Sequence, residues 1–349
     1  MRKKFVLALL CLTLPPISAA HHAGAAIYDP TAMTQIEGEV TRIFWRNPHI
    51  RLVVMAIDSD GNEAEWRIES NSVSILSRMG VSKELLVVGN YIRIAGWPAR
   101  RKENGMFATN MLLPGGKEVL LAPRATALWS NETLGTNEAW VSDGEASGSD
   151  YEADGIFRVW STNMANPGSF PLFKDVVVVE DDYPLTDKAR KAREDWDPVE
   201  DNPYLGCTPM GMPRVMGQPY PIEFVDKGDQ ILLRIELYDI ERTIKLKSSA
   251  NADGISASSL GYSVGAWEDG TLIVNTTRVD WPYFDQSGVP LSEAAEIIEH
   301  FTPSEDGSRL EYRITVTDPE TFTKPVSLQK YWAWRPGEVI QKFECSQAD

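Results

Sequence analysis

The sequence predicts a mainly β protein, in which an OB-like small barrel is followed by an antiparallel β-meander or calycin-like barrel with one short helix. Short stretches of alternating apolar residues recur along most of the chain, and tight-turn sequences such as "SDGN" and "EDG" separate them. At 349 residues the chain is longer than one core usually serves, so we expect two domains.

The first of these domains, residues 21–122, has the element order of an OB fold. "IEGEVTRIFW", "HIRLVVMAID" and "EAEWRIES" are predicted strands, and "NSVSILSRMGV" is a predicted short helix capped by Asn71 or Ser72. "NYIRIAGWPA" and "MFATNMLLPG" then give two more strands. Three strands, a helix and two strands are typical of this barrel, in which Gly38, Gly89 and Gly96 would suit bends or close approaches.

A linker is predicted over 123–154, because its second half, "VSDGEASGSDYEAD", is small, acidic and rich in glycine and serine. The second domain, 155–349, has eight or nine predicted strands, from "GIFRVWS" to "SLQKYWAWRP" and "EVIQKFEC". Its helix is predicted at "TDKARKAREDW", with Thr186 as cap and Pro198 as stop. Barrels of about eight strands have room for one small ligand.

Residues 1–20 are predicted to be a secretory signal peptide. Cationic residues at 2–4 precede a ten-residue apolar run, and Ser18-Ala19-Ala20 supplies the small residues of a cleavage site. Cleavage after Ala20 makes His21 the first mature residue. We therefore expect a periplasmic or secreted protein, with no integral membrane segment after cleavage.

The net charge of −16 argues against nucleic-acid partners. It becomes more negative when the cationic signal leaves, and an acidic chain repels phosphate backbones and anionic lipid surfaces. The 43% hydrophobic content and eleven tryptophans indicate a globular chain. Cys207 and Cys345 remain after cleavage, and an oxidising compartment permits a disulfide between them; two unpaired cysteines are the alternative.

The histidines at the predicted mature terminus are the sharpest candidate site. The α-amine and imidazole of His21 can chelate one metal, and His22 or His49 can complete a nitrogen set that suits copper. His49 lies beyond the first strand, roughly 33 Å from the start of that strand at about 3.3 Å per residue. The arm that carries His21 must therefore fold back along the barrel. The alternative is an arm without metal and a His49 that only caps a turn.

Two other functions compete with metal binding. Aromatic side chains of the second domain, with Arg242 and Arg313, either line a pocket for a small apolar or anionic molecule or fill the core. These aromatic residues are Trp160, Trp267, Trp281, Tyr312, Trp332 and Trp334. Gly261-Tyr262-Ser263-Val264-Gly265 matches the G-x-S-x-G pattern of serine hydrolases. No helix is predicted after Ser263, however, and His300 is the only histidine of this domain.

Several stretches resemble known families. "HHAGAAIYDP", "WRNPHI" and "GVSKELLVVGNYIRIAGWPAR" resemble an uncharacterised family of exported bacterial domains over residues 21–121. "DPVEDNPYLGCTPMGMPR" and "GYSVGAWEDGTLIVNTT" resemble an exported bacterial module without assigned activity, over most of 155–325. The resemblance implies export and the domain boundaries. His21, His22 and His49 fall on the first family's pattern, whereas the second module often carries arginine at the position of His300, which makes catalysis by His300 a poor prediction.

We therefore interpret the chain as a periplasmic binding or accessory protein rather than an enzyme, with copper as its candidate cofactor at His21, His22 and His49. A carrier of a small apolar ligand in the second barrel is the alternative, and a serine hydrolase at Ser263 is a weaker one.

Overall fold

The computed structural model describes residues 27–57, 62–101, 104–135, 155–164, 166–174, 183–198, 200–203, 207–246 and 254–346. It contains a closed five-stranded barrel followed by a closed nine-stranded barrel, as the sequence predicts. The predicted signal peptide, His21, His22 and most of the predicted linker lie outside the described residues. Among the residues that are described, no helix has the length and apolarity that crossing a membrane requires.

The first barrel has the OB order β1-β2-β3-β5-β4, closed by pairing of β1 with β4 and of β3 with β5. One short helix, α1, connects β3 to β4 and is capped by Ser72, which accepts from the backbone N–H of Ile75 at 3.1 Å. The elements are β1 Thr34–Phe44, β2 Arg51–Ile57, β3 Glu63–Glu69, α1 Val73–Arg78, β4 Tyr91–Pro98 and β5 Gly105–Leu112. Short strands β6 Glu118–Leu120 and β7 Thr133–Leu134 extend the sheet, which places residues 123–135 against this barrel.

Two glycines allow the first barrel to close. A Cβ on Gly38 would lie 2.2 Å from the carbonyl oxygen of Met55 on β2, and one on Gly96 would lie 2.0 Å from that of Phe107 on β5. Both distances are far inside van der Waals contact. Glycine is therefore required where β1 and β4 cross their neighbours, as the sequence predicts.

The second barrel is antiparallel except where β11 pairs in parallel with β12, and β8 closes it between β16 and β9. The predicted helix is present as α2, with Thr186 accepting from the N–H of Ala189. The elements are β8 Val159–Ser161, α2 Asp187–Asp195, β9 Ile222–Asp226, β10 Gln230–Ile235, β11 Ile240–Leu246, β12 Tyr262–Glu268, β13 Thr271–Thr277, β14 Glu296–Pro303, β15 Arg309–Thr317 and β16 Val326–Trp334.

The predicted final strand, "EVIQKFEC", is not formed. Residues 338–346 instead cross to the first barrel, where the N–H of Ser346 donates to the carbonyl of Asn47 at 3.1 Å and the Asn47 side chain donates to the carbonyl of Phe343. A disulfide between Cys207 and Cys345 anchors this tail. Groups from both barrels therefore satisfy the tail's backbone, since Gln341 and Phe343 also donate their N–H groups to Glu236 and Asp239, and sequence alternation cannot show such partners.

A buried ion pair joins the two barrels. Arg78, at the end of α1, donates to both carboxylate oxygens of Glu236 at 2.7 Å, and both side chains are almost fully buried. Ser74 and the N–H of Gln341 also donate to Glu236. The alternating pattern predicts a strand that continues past Glu236, but β10 ends at Ile235. The Glu236 side chain instead accepts hydrogen bonds from these donors.

Candidate functional site

His49 lies in the loop between β1 and β2 and is held by a carboxylate. Its Nδ1 contacts Glu69 Oε1 at the end of β3. The two residues lie close together because Glu69 is the cross-strand partner of Arg51, which follows His49 by two residues. The His49 side chain is 41% exposed, and Glu69 contacts only one of its two ring nitrogens. A histidine whose other ring nitrogen meets a carboxylate is the usual arrangement of a metal ligand in proteins.

Glu69 remains ionised at this site. Burial by itself would raise the pKa of its carboxyl group, but the charge and hydrogen bond of His49, the Tyr28 hydroxyl and the charge of Arg51 lower that pKa to about 2. Burial, together with the nearby Glu69 charge, raises the pKa of Tyr28 well above its usual value, so the phenol keeps its proton and donates it to Glu69. The site therefore presents a fixed negative charge behind the imidazole of His49.

The chain that leads from the amino terminus reaches this site. The N–H of Asp29 donates to the carbonyl of Pro98 at 2.9 Å, and the N–H of Arg100 donates to the carbonyl of Ile27 at 2.8 Å. Tyr28 thereby lies beside the end of β4, and its hydroxyl donates to Glu69 Oε2 at 2.7 Å. Because the barrel is closed, the arm at Tyr28 and the loop of His49 meet at the same carboxylate.

Aromatic rings surround this group on the outer face of the barrel. The Phe107 ring on β5 meets the edge of His49 with centroids 6.0 Å apart, contacts Tyr28 at 5.8 Å and stacks on Trp97 at 5.4 Å. The imidazole of His49 therefore packs on Phe107, which also contacts the rings of Tyr28 and Trp97.

The described residues include one of the three predicted copper ligands, His49. Within them, no three His, Cys, Asp or Glu side chains are placed to hold a metal ion together. His49 is the one described member of the predicted set, and His21 and His22 lie outside the described residues.

Ser263 belongs to a buried polar network inside the second barrel. Its hydroxyl lies 3.0 Å from Arg242 Nε and 2.9 Å from Thr276 Oγ1, and Arg242 forms a bidentate ion pair with Glu299. Tyr312 donates to the same carboxylate at 2.8 Å. Among the described residues, Ser263 therefore forms hydrogen bonds with a guanidinium and a hydroxyl, and neither of these groups is a general base.

The predicted aromatic side chains of the second domain divide between core and surface. Trp160, Trp332 and Tyr312 are fully buried and Trp281 is nearly so, whereas Trp267 is 41% exposed. Arg242 is buried in the network of Ser263, and Arg313 is exposed on β15. The buried rings of this set belong to the hydrophobic core, as the core alternative expects.

Sequence reasoning missed the two partners of His49. Glu69 lies at the end of the alternating strand "EAEWRIES". The pattern gives it no role beyond that of another acidic strand residue. Tyr28 precedes the first predicted strand. The only sequence signal for its role is that it lies in "HHAGAAIYDP", the first stretch that resembles the exported family.

Fold and site together define a two-barrel β protein, whose first barrel has OB topology and carries a tyrosine–glutamate–histidine chain at its β1–β2 loop. Residues 8–107 match the model of a family of unknown function, DUF6152. This match confirms the resemblance of the first domain to an uncharacterised domain family, and it ends inside β5, before the second barrel. No curated protein matches the chain.

Proposed function

We propose that this is an exported accessory protein that binds copper at the first barrel, through His49 and the histidines His21 and His22 of the mature amino terminus. The observation that carries the proposal is Glu69, which accepts from the Tyr28 hydroxyl on one oxygen and contacts His49 Nδ1 on the other. It aligns one imidazole for a metal and holds the terminal arm beside it.

The length of the arm is compatible with a shared site. Five residues lie between His22 and Tyr28, and the six steps along the chain span at most about 20 Å. Tyr28 itself touches Glu69, the carboxylate that contacts His49, so both terminal histidines are within reach of the imidazole. An amine and two imidazoles would give copper(II) the nitrogen ligands that it prefers.

The position on the barrel agrees with a binding role. In OB folds the β1–β2 and β4–β5 loops surround the usual ligand face. His49 lies in the first of these loops, and Tyr28 is paired with Ala99, next to the second. The acidity of the chain argues against nucleic acid as the ligand, and a metal ion fits the carboxylate-backed histidine better.

The test is a copper(II) titration of protein whose first residue is shown by mass spectrometry to be His21. We expect tight binding with nitrogen hyperfine coupling in the EPR spectrum. His49→Ala, or one extra residue before His21, should weaken binding strongly, and Glu69→Gln should weaken it about tenfold because the imidazole loses its orienting carboxylate.

His300→Ala is the matched control, since it removes a histidine from the second barrel, and it should leave the affinity unchanged. Equal affinity in native protein, His49→Ala and the extended protein would refute the proposal.

A further inference from the structure

A cavity of about 500 Å³ lies between the two barrels, beside the candidate metal site but distinct from it. One wall is the outer face of β4 and β5, where Trp97 stacks on Phe107 with an interplanar angle of 18°. The opposite wall is formed by Met164 and Phe170 of the second domain, and residues 122–126 cover the cavity. Its volume lies within the range of small-molecule sites in proteins.

The lining has one kind of charge. Most of the described side chains around the cavity are apolar or aromatic, and Arg124 is the only one among them with a formal charge. The chain has a net charge of −16, but none of the described lining residues is acidic, so the formal charge of this lining is positive.

Arg124 is held in place by the second domain. Its Nε donates to the carbonyl of Met164 at 3.0 Å and its Nη2 donates to the carbonyl of Phe170 at 3.4 Å. Nε and Nη2 make these two bonds. Nη1 has no hydrogen-bond acceptor among the described residues, so this edge of the guanidinium is open to a ligand. An arginine oriented in this way suits a planar carboxylate.

We propose that this cavity binds a small aromatic carboxylate, whose ring packs on Trp97 and whose anionic group meets Arg124. The stacked pair supplies a flat apolar surface of the kind on which aromatic rings pack. The thioethers of Met33 and Met164 can adapt to the outline of the ring, since methionine is flexible. This proposal does not depend on copper, because none of the described lining residues is His49 or Glu69.

Calorimetric titration of the metal-free mature protein with naphthoate and with uncharged naphthylmethanol tests the proposal. We expect naphthoate to bind about tenfold more tightly than the alcohol, as a charge-assisted hydrogen bond allows. Arg124→Gln should remove that difference, and Trp97→Leu should weaken both ligands by about tenfold through lost stacking and burial.

Controls come from the second barrel and from the metal site. Arg313→Gln and Trp267→Leu change an exposed arginine and an exposed tryptophan and should change neither affinity. Glu69→Gln, which keeps the His49 ring, should also leave naphthoate binding unchanged, and this separates the inference from the copper proposal. Equal binding of acid and alcohol, an unchanged naphthoate affinity in Trp97→Leu, or loss of naphthoate binding in Glu69→Gln would overturn the assignment.

Discussion

At the scale of single residues, buried carboxylates organise the described loops around both candidate sites. Glu69 orients His49, and Glu118 on β6 holds the loop that follows residue 126. Glu118 is fully buried and accepts from the N–H groups of Leu128, Trp129 and Ser130 at 2.8 to 2.9 Å, and from the Asn110 side chain at 2.6 Å. A carboxylate with four donors is a stable anchor despite its burial.

Glu118→Gln tests this anchor through the dependence of stability on pH. Burial would raise the pKa of Glu118, but the N–H groups of the loop and Asn110 lower it below its usual value of 4.5. Its contribution is therefore present above pH 4.5 and is lost as the pH falls below it. We expect the variant to lose about 1–3 kcal/mol at neutral pH, with the gap to native protein narrowing in acid.

Urea unfolding of both proteins between pH 7 and pH 3 measures this effect. Glu65→Gln, which removes an exposed partner of Arg42, is the control and should change stability little. A constant gap across the pH range would contradict the assigned role of Glu118.

At the scale of elements, the carboxyl-terminal tail acts as a strap across the barrels rather than as a strand. Phe343 is fully buried between the rings of Tyr220 and Tyr238, and its N–H donates to Asp239. The Cys207–Cys345 disulfide closes a separation of 138 residues. The tail also bonds Asn47, two residues from His49, and so it supports the loop of the candidate copper site.

The disulfide is expected to stabilise the protein by about 2–4 kcal/mol, because it restricts the unfolded chain. Thermal unfolding of the mature protein should therefore shift to lower temperature in Cys207→Ser/Cys345→Ser and in native protein treated with reductant. The double variant itself should not respond to reductant. A native melting temperature that is the same with and without reductant would show that the bridge contributes nothing.

At the scale of the whole molecule, we expect the Arg78–Glu236 pair to couple the unfolding of the two barrels. The buried apolar residues of both barrels belong to a single cluster, and the ion pair crosses the junction. Arg78→Met leaves the Glu236 carboxylate buried without its cation, which we expect to cost about 3–5 kcal/mol. Calorimetry should show one transition for native protein and separate transitions for the variant.

Two further variants make this prediction specific. Arg78→Met/Glu236→Leu should recover much of the loss, because no charge is then left buried. Lys188→Met removes an exposed pair with Glu320 and should cost less than about 1 kcal/mol. If Arg78→Met unfolded like native protein, the junction would not depend on this pair.

Local pattern was sufficient to predict most of the secondary structure. Alternation gave the strands of both barrels, Thr186 marked the start of α2, and Gly38 and Gly96 marked close approaches. The prediction failed at Glu236 and at "EVIQKFEC", where these residues bond to partners that are distant in sequence. Local patterns report on a residue's neighbours in sequence, and these partners are distant in sequence.

The sequence by itself determined two β-barrels, their order, the candidate histidines and the pair of cysteines, because periodicity, turn residues and composition are local properties. Only the tertiary structure decided that Tyr28, Glu69 and His49 form one chain of contacts. It also decided that Ser263 accepts a hydrogen bond from the buried Arg242, and that Arg124 lines a cavity. Barrel closure and domain contact bring these residues together across long separations, and no short stretch of sequence records which side chains will meet.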